Sequence, residues 1–295
     1  MSMETYTESL EESDPQSLKK KHVLSSLEMK KYRKITGNLM WLAENVRMDL
    51  LYGALQLSMK NKEATVRDMK KANALIKKAK SAPSLVVFTK VREPEDLIVH
   101  ALSDASYTAG EKAVGGQVIL VGSSHSDKVT PIYWKSKLIK QVCHSPKDAE
   151  TRNLVKTVDI LRFLADQLSY LMFGEDKVER RVKVKVYSDS KATLDSIAST
   201  HQIEQRMLRS CIADLKQKLE EKDIESYEWL TDDFMVADIL TKEKKSKEGV
   251  DDIVLKNHLP VVNKGYNLVV EEDGEFLMKN PKMKEKKFTR TVMKS

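Results

Sequence analysis

The sequence predicts an α/β fold: a five-stranded mixed sheet flanked by helices and preceded by a small helical subdomain. Three observations carry that expectation. Residues 182–190, VKVKVYSDS, alternate as a strand does, and four other stretches share the β character. An amphipathic helical stretch from Ser145 to about residue 172 separates the third of these strands from the fourth. Residues 26–80 carry apolar side chains at helical spacing instead.

Taken in order, residues 1–25 are polar and read as a flexible leader or the frayed end of something larger. Residues 26–82 form the helical segment, in which LEMKKYRKITGNLMWLAENV, MDLLYGALQLSMK and ATVRDMKKANALIKKAK each keep helical spacing and Ala64-Thr65 opens the last helix. Its lysines 60, 62, 70, 71, 77, 78 and 80 form either a solvated face or one that tracks phosphates. Pro83 and Pro94 bracket a linker, 83–96, with the apolar patch LVVF.

Strands are expected at 97–106 (LIVHALSDAS), in QVILVG after Gly115-Gly116, and in VTPIYWKS after the turn-rich GSSHSDK. Ser145-Pro146-Lys147-Asp148 is a helix-start signal, with Ser as cap, Pro in the first turn and an acid three residues on. The fourth strand, 182–190, precedes helices at about 191–199 and 203–221, and IESYEWL is the fifth strand before a short helix at 233–242. The crossover helix between strands three and four favours parallel pairing there. Residues 244–295 read as a polar, basic, partly disordered tail; in its final run, MKNPKMKEKKFTRTVMKS, lysines 279, 282, 284, 286, 287 and 294 and Arg290 stand against the single Glu285.

The composition is that of a globular chain with a heavily solvated surface: 295 residues, 41% hydrophobic and 32% charged. A net charge of +7 fits a polyanionic partner such as nucleic acid, and equally a lysine-rich surface. Two cysteines, Cys143 and Cys211, imply no disulfide framework and fit a reducing compartment. Cys143-His144 lacks a second Cys/His pair at zinc-ligand spacing. There is no signal-peptide pattern and no apolar run of the ~18 residues a membrane helix needs, so no membrane partner is expected.

Four acids stand out. Asp104 and Asp189 end the first and fourth strands, and Glu150 lies early in the long helix. Asp238 lies in the last helix, three and four residues after Met235 and Phe234. Singly, each has an ordinary reading as a turn acid or a helix-dipole partner. However, Glu150, Leu154, Val158 and Leu161 share one stripe, which turns Glu150 inward. The first and fourth strands can be neighbours, which would set Asp104 beside Asp189 with the helical acids closing over them. Four like charges in one cleft repel, and divalent cations remove that cost. Oxygen ligands suit two Mg²⁺ (or Mn²⁺) ions, which can clamp a phosphodiester for in-line attack.

These stretches resemble the ribonuclease H domain of copia-type LTR retrotransposon Pol polyproteins. The resemblance rests on SDAS, GGQVILVG…PIYWKSK, HSPKDAETRNL, VYSDSKATLDSI and WLTDDFMVADILTK, with ADILTK the most specific run. It covers residues 97–243, and MKKYRKITGNLMWLAENVRMDLLYGALQLS upstream resembles the end of the copia-type reverse transcriptase, with Met48 where the family has Pro. The resemblance implies an RNase H-like fold and cleavage of the RNA strand of an RNA–DNA hybrid. It implies Asp104, Glu150, Asp189 and Asp238 as the catalytic and metal-binding carboxylates, with Asp104 and Asp189 touching both ions. It also implies other Pol- or Gag-derived proteins as partners, within a virus-like particle or the nucleus. Asp148, Asp195, Asp232 and Asp233 do not match the motif.

Lys135 and Lys137, flanking Ser136, are either phosphate contacts or a solvated strand end. Two departures from related enzymes matter. No His lies between residues 201 and 238, where cellular enzymes often carry one, and the Tyr-x-Asp-Asp of a polymerase is absent. A carboxyl-terminal piece of Pol that cannot polymerise DNA is therefore expected, either an active ribonuclease H or an inactive nucleic-acid-binding remnant. A different nuclease or an integrase of the same fold is disfavoured by ADILTK and the upstream helices.

Overall fold

The computed structural model describes residues 2–17, 19–83, 86, 88, 90–91, 93–110, 112–174, 182–199, 205–243, 259, 267–270, 276–279 and 286–288. Four helices come first: α1 (Glu4–Glu8), α2 (Ser26–Asn45), α3 (Leu51–Ser58) and α4 (Val66–Lys80). A three-stranded meander follows, β1 (Leu97–Ser106), β2 (Val114–Ser123) and β3 (Ser126–Leu138). Then come α5 (Pro146–Phe173), β4 (Lys183–Ser188), α6 (Lys191–Ala198), α7 (Arg206–Glu220), β5 (Ser226–Trp229) and a 3₁₀ turn, Val236–Leu240. Three short strands end the described chain, β6 (Asn267–Val270), β7 (Phe276–Lys279) and β8 (Lys286–Phe288).

The sheet order is β3-β2-β1-β4-β5-β6-β7-β8. β1–β2 and β2–β3 are antiparallel, whereas β4 runs parallel to β1 and β5 parallel to β4. The five strands expected from the sequence are all present, and the long crossover helix sets the parallel pairing. The eight-stranded total corrects the expected five. β6 pairs antiparallel with β5, and β7 and β8 continue outward, so tail residues expected to be partly disordered cover what would be an exposed sheet edge. Apart from Leu259, the other tail residues, among them Lys282, Lys284, Arg290 and Lys294, lie outside the described residues.

Both faces of the sheet are covered, which is why β1 is buried over nearly its whole length instead of alternating. On one face Leu97, Val99 and Ala101 meet Leu154, Val158 and Leu161 of α5 and Ile212 and Leu215 of α7. On the other face Leu102, Val118, Leu120 and Trp134 share a core with Leu39, Leu42 and Leu50 of the helical segment. The Trp134 indole N–H donates to the carbonyl of Ala43 at 2.7 Å. The helical segment is therefore the second layer of the sheet and not a separate lobe.

Local signals explain the helix starts. The Ser145 hydroxyl accepts from the Asp148 N–H at 3.1 Å, with Pro146 behind it in the first turn, and α5 ends at Gly174, whose φ of +80° suits a residue without Cβ. Thr65 opens α4, its backbone N–H donating to Asp68 Oδ2 at 2.8 Å. The leader departs from its expected flexibility. Leu10 is buried in the helical core, and Ser13 and Asn73 exchange two hydrogen bonds, Ser13 N–H to Asn73 Oδ1 at 3.1 Å and Asn73 Nδ2 to the Ser13 carbonyl at 3.0 Å.

Candidate active site

Register brings the first pair of acids together. On the parallel strands β1 and β4, Ser103 lies opposite Ser188, so the next residues along are Asp104 and Asp189. Asp104 is fully buried and Asp189 half-buried. Glu150 arrives from the first turns of α5, and its Oε1 accepts the Ala105 N–H at 3.1 Å. Asp104, Glu150 and Asp189 each offer an oxygen, and these oxygens lie within 4.8 Å of one another.

Asp238 stands outside this group of three. It is buried in the 3₁₀ turn, beside Asp104, and its Oδ1 is ion-paired at 2.7 Å with Nζ of Lys242, which lies 3.8 Å from Asp104 Oδ1. The expected α-helix at 233–242 is instead this shorter 3₁₀ turn, Val236–Leu240. Its tighter winding and the hydroxyl of Thr241 bind it to the site. Thr241 Oγ1 donates to Asp104 Oδ2 and lies 3.1 Å from the Asp238 carbonyl.

The electrostatics follow from burial. Burial first, and then the charges of Asp104 and Asp189, push the Glu150 carboxyl well above the usual range. Burial and the neighbouring Asp104 raise Asp189 to about 7. Asp104 is raised too, mainly by burial, although Lys242 and Thr241 pull the other way. Two carboxylate oxygens, Asp104 Oδ1 and Glu150 Oε2, are buried without a hydrogen-bond partner. Unpartnered buried oxygens are costly, and a hard divalent cation would satisfy both. The residues present therefore fit such an ion.

Several supporting residues escaped the sequence reading. One side-chain amide, Asn153 Nδ2, donates to Ser103 Oγ at 2.9 Å, the Asp104 carbonyl at 2.8 Å and the Gly116 carbonyl at 2.9 Å, tying α5, β1 and β2 together beneath Asp104. Gly115 and Gly116 lie inside β2 rather than before it. A Cβ on Gly116 would come within 2.6 Å of the Ala237 carbonyl, so the missing side chain is what lets the 3₁₀ turn rest on the sheet opposite Asp104. The Ser136 hydroxyl donates to the Leu240 carbonyl at 2.5 Å and the Trp229 indole N–H to the Asp189 carbonyl at 2.9 Å. Only Asn153 left a signal: it is a polar residue three positions after Glu150 on the inward stripe of α5.

Of the two lysines flanking Ser136, Lys135 is ion-paired with Glu44 of α2, while Lys137 is exposed. Lys135 thus anchors the helical layer. Asp148 caps α5, accepting from the His144 N–H at 3.0 Å and pairing with Arg152.

An antiparallel meander joined through a crossover helix to two parallel strands, with acids where β1 and β4 end side by side, defines an RNase H-like fold. The chain is similar to the retrovirus-related Pol polyprotein from transposon RE1 of Arabidopsis thaliana, at 28% identity over 144 residues. That match covers 48% of this chain and 9% of the relative, so it spans less than a tenth of that polyprotein. No family model matches the chain. Among solved structures, LC11-RNase H1, isolated from compost and crystallised with an RNA/DNA hybrid, aligns at 15% identity and a TM-score of 0.35, covering 49% of this chain and 93% of that one. RNase H1 of Halobacterium salinarum aligns at 17% identity and a TM-score of 0.35, covering 52% and 98%.

No described helix is long and apolar enough to cross a membrane.

Proposed function

We propose that the chain is a metal-dependent ribonuclease H that hydrolyses the RNA strand of RNA–DNA hybrids, as part of a copia-type retrotransposon Pol polyprotein. The observation that carries this reading is the meeting of Asp104, Glu150 and Asp189 within 4.8 Å, with buried carboxylate oxygens left unpartnered. Asp238, beside Asp104, is the fourth carboxylate of the set.

In this reading Asp104, Glu150, Asp189 and Asp238 hold two Mg²⁺ or Mn²⁺ ions. Such ions supply an activated water and neutralise charge on the leaving oxygen. The rest is the work of the chain. The Ala105 N–H fixes one oxygen of Glu150, and Thr241 fixes one oxygen of Asp104, which leaves the other oxygen of each buried without a hydrogen-bond partner and available to an ion. Asn153 holds the backbone of Asp104 at the strand end. Trp229 holds that of Asp189. Residues 26–82 correspond, on this reading, to the end of the reverse transcriptase.

The test is cleavage of a labelled RNA–DNA hybrid with Mg²⁺ or Mn²⁺, wild type beside Asp189→Asn. Metal-dependent cutting of the RNA strand, lost in the variant, is expected. A folded wild type that binds the hybrid without cutting it would leave a nucleic-acid-binding remnant instead.

A further inference from the structure

The site is neutralised unevenly, and one side chain is the reason. Asp104, Glu150 and Asp189 come together with no cation in hydrogen-bond range of Asp104 Oδ1 or Glu150 Oε2 among the described residues. Asp238 lies beside Asp104, yet its Oδ1 is taken by the ammonium of Lys242 at 2.7 Å. That same ammonium stands 3.8 Å from Asp104 Oδ1, close enough to attract it and too far to hydrogen-bond it. Both carboxylates are buried, with 0% and 2% of their side chains exposed, whereas the lysine side chain is 39% exposed.

We propose that Lys242 is a built-in counter-cation that keeps the Asp104–Asp238 half of the site closed to a second divalent ion until the lysine is displaced. The proposal rests on the metal-dependent reading above and adds an order of events to it. An ion shared by Asp104 and Asp238 needs the Asp238 oxygen that Lys242 occupies. A divalent ion and an ammonium within a few ångströms repel, and in a poorly solvated cleft that repulsion is weakly screened. On the Asp104–Glu150–Asp189 side the ammonium comes no nearer than 3.8 Å to Asp104 Oδ1 and occupies neither of the unpartnered oxygens, Asp104 Oδ1 and Glu150 Oε2, so it competes there only at a distance. That side fills first, and the second ion enters only as Lys242 leaves.

The lysine has somewhere to go. It follows the 3₁₀ turn, four residues after Asp238, and lines a cleft of about 520 Å³ between α3 and the ends of β1 and β2. Tyr52, Gln56, Lys60, Ser106 and Lys112 line the same cleft, which gives the ammonium a polar, open volume outside the carboxylates. A phosphodiester arriving there would draw the ammonium outward by charge.

The experiment titrates Mn²⁺ into the full chain by calorimetry and by electron paramagnetic resonance, for wild type and Lys242→Met. Wild type is expected to bind one ion tightly and a second at least about tenfold more weakly. In Lys242→Met the second event should tighten by about tenfold or more. A second event unchanged by the substitution, or two equal events in wild type, would overturn the proposal.

A second measurement uses wild type alone. Acetylation of Lys242, followed by mass spectrometry, should rise several-fold as Mn²⁺ saturates the second site, with Lys30, exposed and outside the cleft, as the unchanged reference. Flat reactivity at Lys242 overturns the proposal even where the variant fails to fold. Absence of Mn²⁺ binding would overturn the metal-dependent reading and this proposal together. Sequential binding without hybrid cleavage would uphold the lysine's role and strike only the ribonuclease reading.

Discussion

Two polar residues on β1, four positions apart, are both buried, and they are treated in opposite ways. His100 sits mid-strand with its Nδ1 3.2 Å from the Tyr187 hydroxyl, and the surrounding burial favours its neutral form. Asp104, at the strand end, keeps one oxygen unpartnered in the company of two other acids. The first is a polar group whose burial has been satisfied. The second is one whose burial has been left costly, and stability is sacrificed there only where a ligand or a reaction recovers it.

The largest expected effect breaks the comparison at the acid. Asp104→Asn removes a buried charge from a cluster of like charges. Hybrid cleavage should fall by on the order of 10³-fold or more, measured as single-turnover rates in Mg²⁺. In metal-free buffer the same variant should unfold at higher urea concentration than wild type, because the repelling charge is gone. A variant that lost activity and stability together would mark Asp104 as an ordinary structural residue.

Next is the support beneath the acid. Asn153→Ala leaves Ser103, the Asp104 carbonyl and the Gly116 carbonyl without their shared donor. The expected cost is roughly 3 kcal/mol, read from the urea midpoint. Asn153→Asp should cost at least as much, since a carboxylate cannot donate to those three acceptors and adds a charge beside Asp104. Stability within about 0.5 kcal/mol of wild type for either variant would remove Asn153 from the site's framework.

His100 sharpens the contrast through pH. Burial, and then the charge of Lys185, lower its imidazole from 6.5 to about 4. Above pH 6.5 the ring is neutral in folded and unfolded chains alike, and its contribution is complete. Between 6.5 and 4 the unfolded chain takes up the proton first, so stability falls as pH falls. The total loss from this group is roughly 3 kcal/mol, complete below pH 4. Urea midpoints across that window should slope less in His100→Gln than in wild type, and equal slopes would remove His100 as the cause.

The sequence made the framework of the site legible because its signals are local. Alternation located β4, the β character of LIVHALSDAS located β1, the Ser145-Pro146 start placed α5, and the inward stripe of α5 turned Glu150 towards the sheet. The convergence of Asp104, Glu150 and Asp189 followed from a parallel crossover. What stayed hidden depends on contacts across the chain. Gly116 reads only as a residue preceding the second strand until the Ala237 carbonyl is seen lying against it. Nothing in the sequence sets Lys242 apart until its ammonium is found on Asp238. The tail strands were hidden because β6 (NLVV) and β7 (FLMK) are apolar runs of only four residues each, set in a charged stretch, and β8 (KKF) is mostly lysine. The edge of β5 supplies the partner that the composition does not suggest.

The smallest expected effect asks whether the helical segment is a domain or a layer. Trp134→Phe keeps the ring in the shared core and deletes only its N–H, leaving the Ala43 carbonyl without that donor. The cost should be about 1 kcal/mol. The shape of the transition is more informative than its midpoint. If α2–α4 and the sheet form one core, the variant unfolds in a single step with an unchanged dependence on urea, whether followed by fluorescence or by circular dichroism. A second transition, with the helices melting apart from the sheet, would mean that the apolar contacts of Leu39, Leu42 and Leu50 with β1 and β2 do not bind the two into one cooperative unit. The cleft beside Lys242 would then have a movable wall, because α3 forms one side of it.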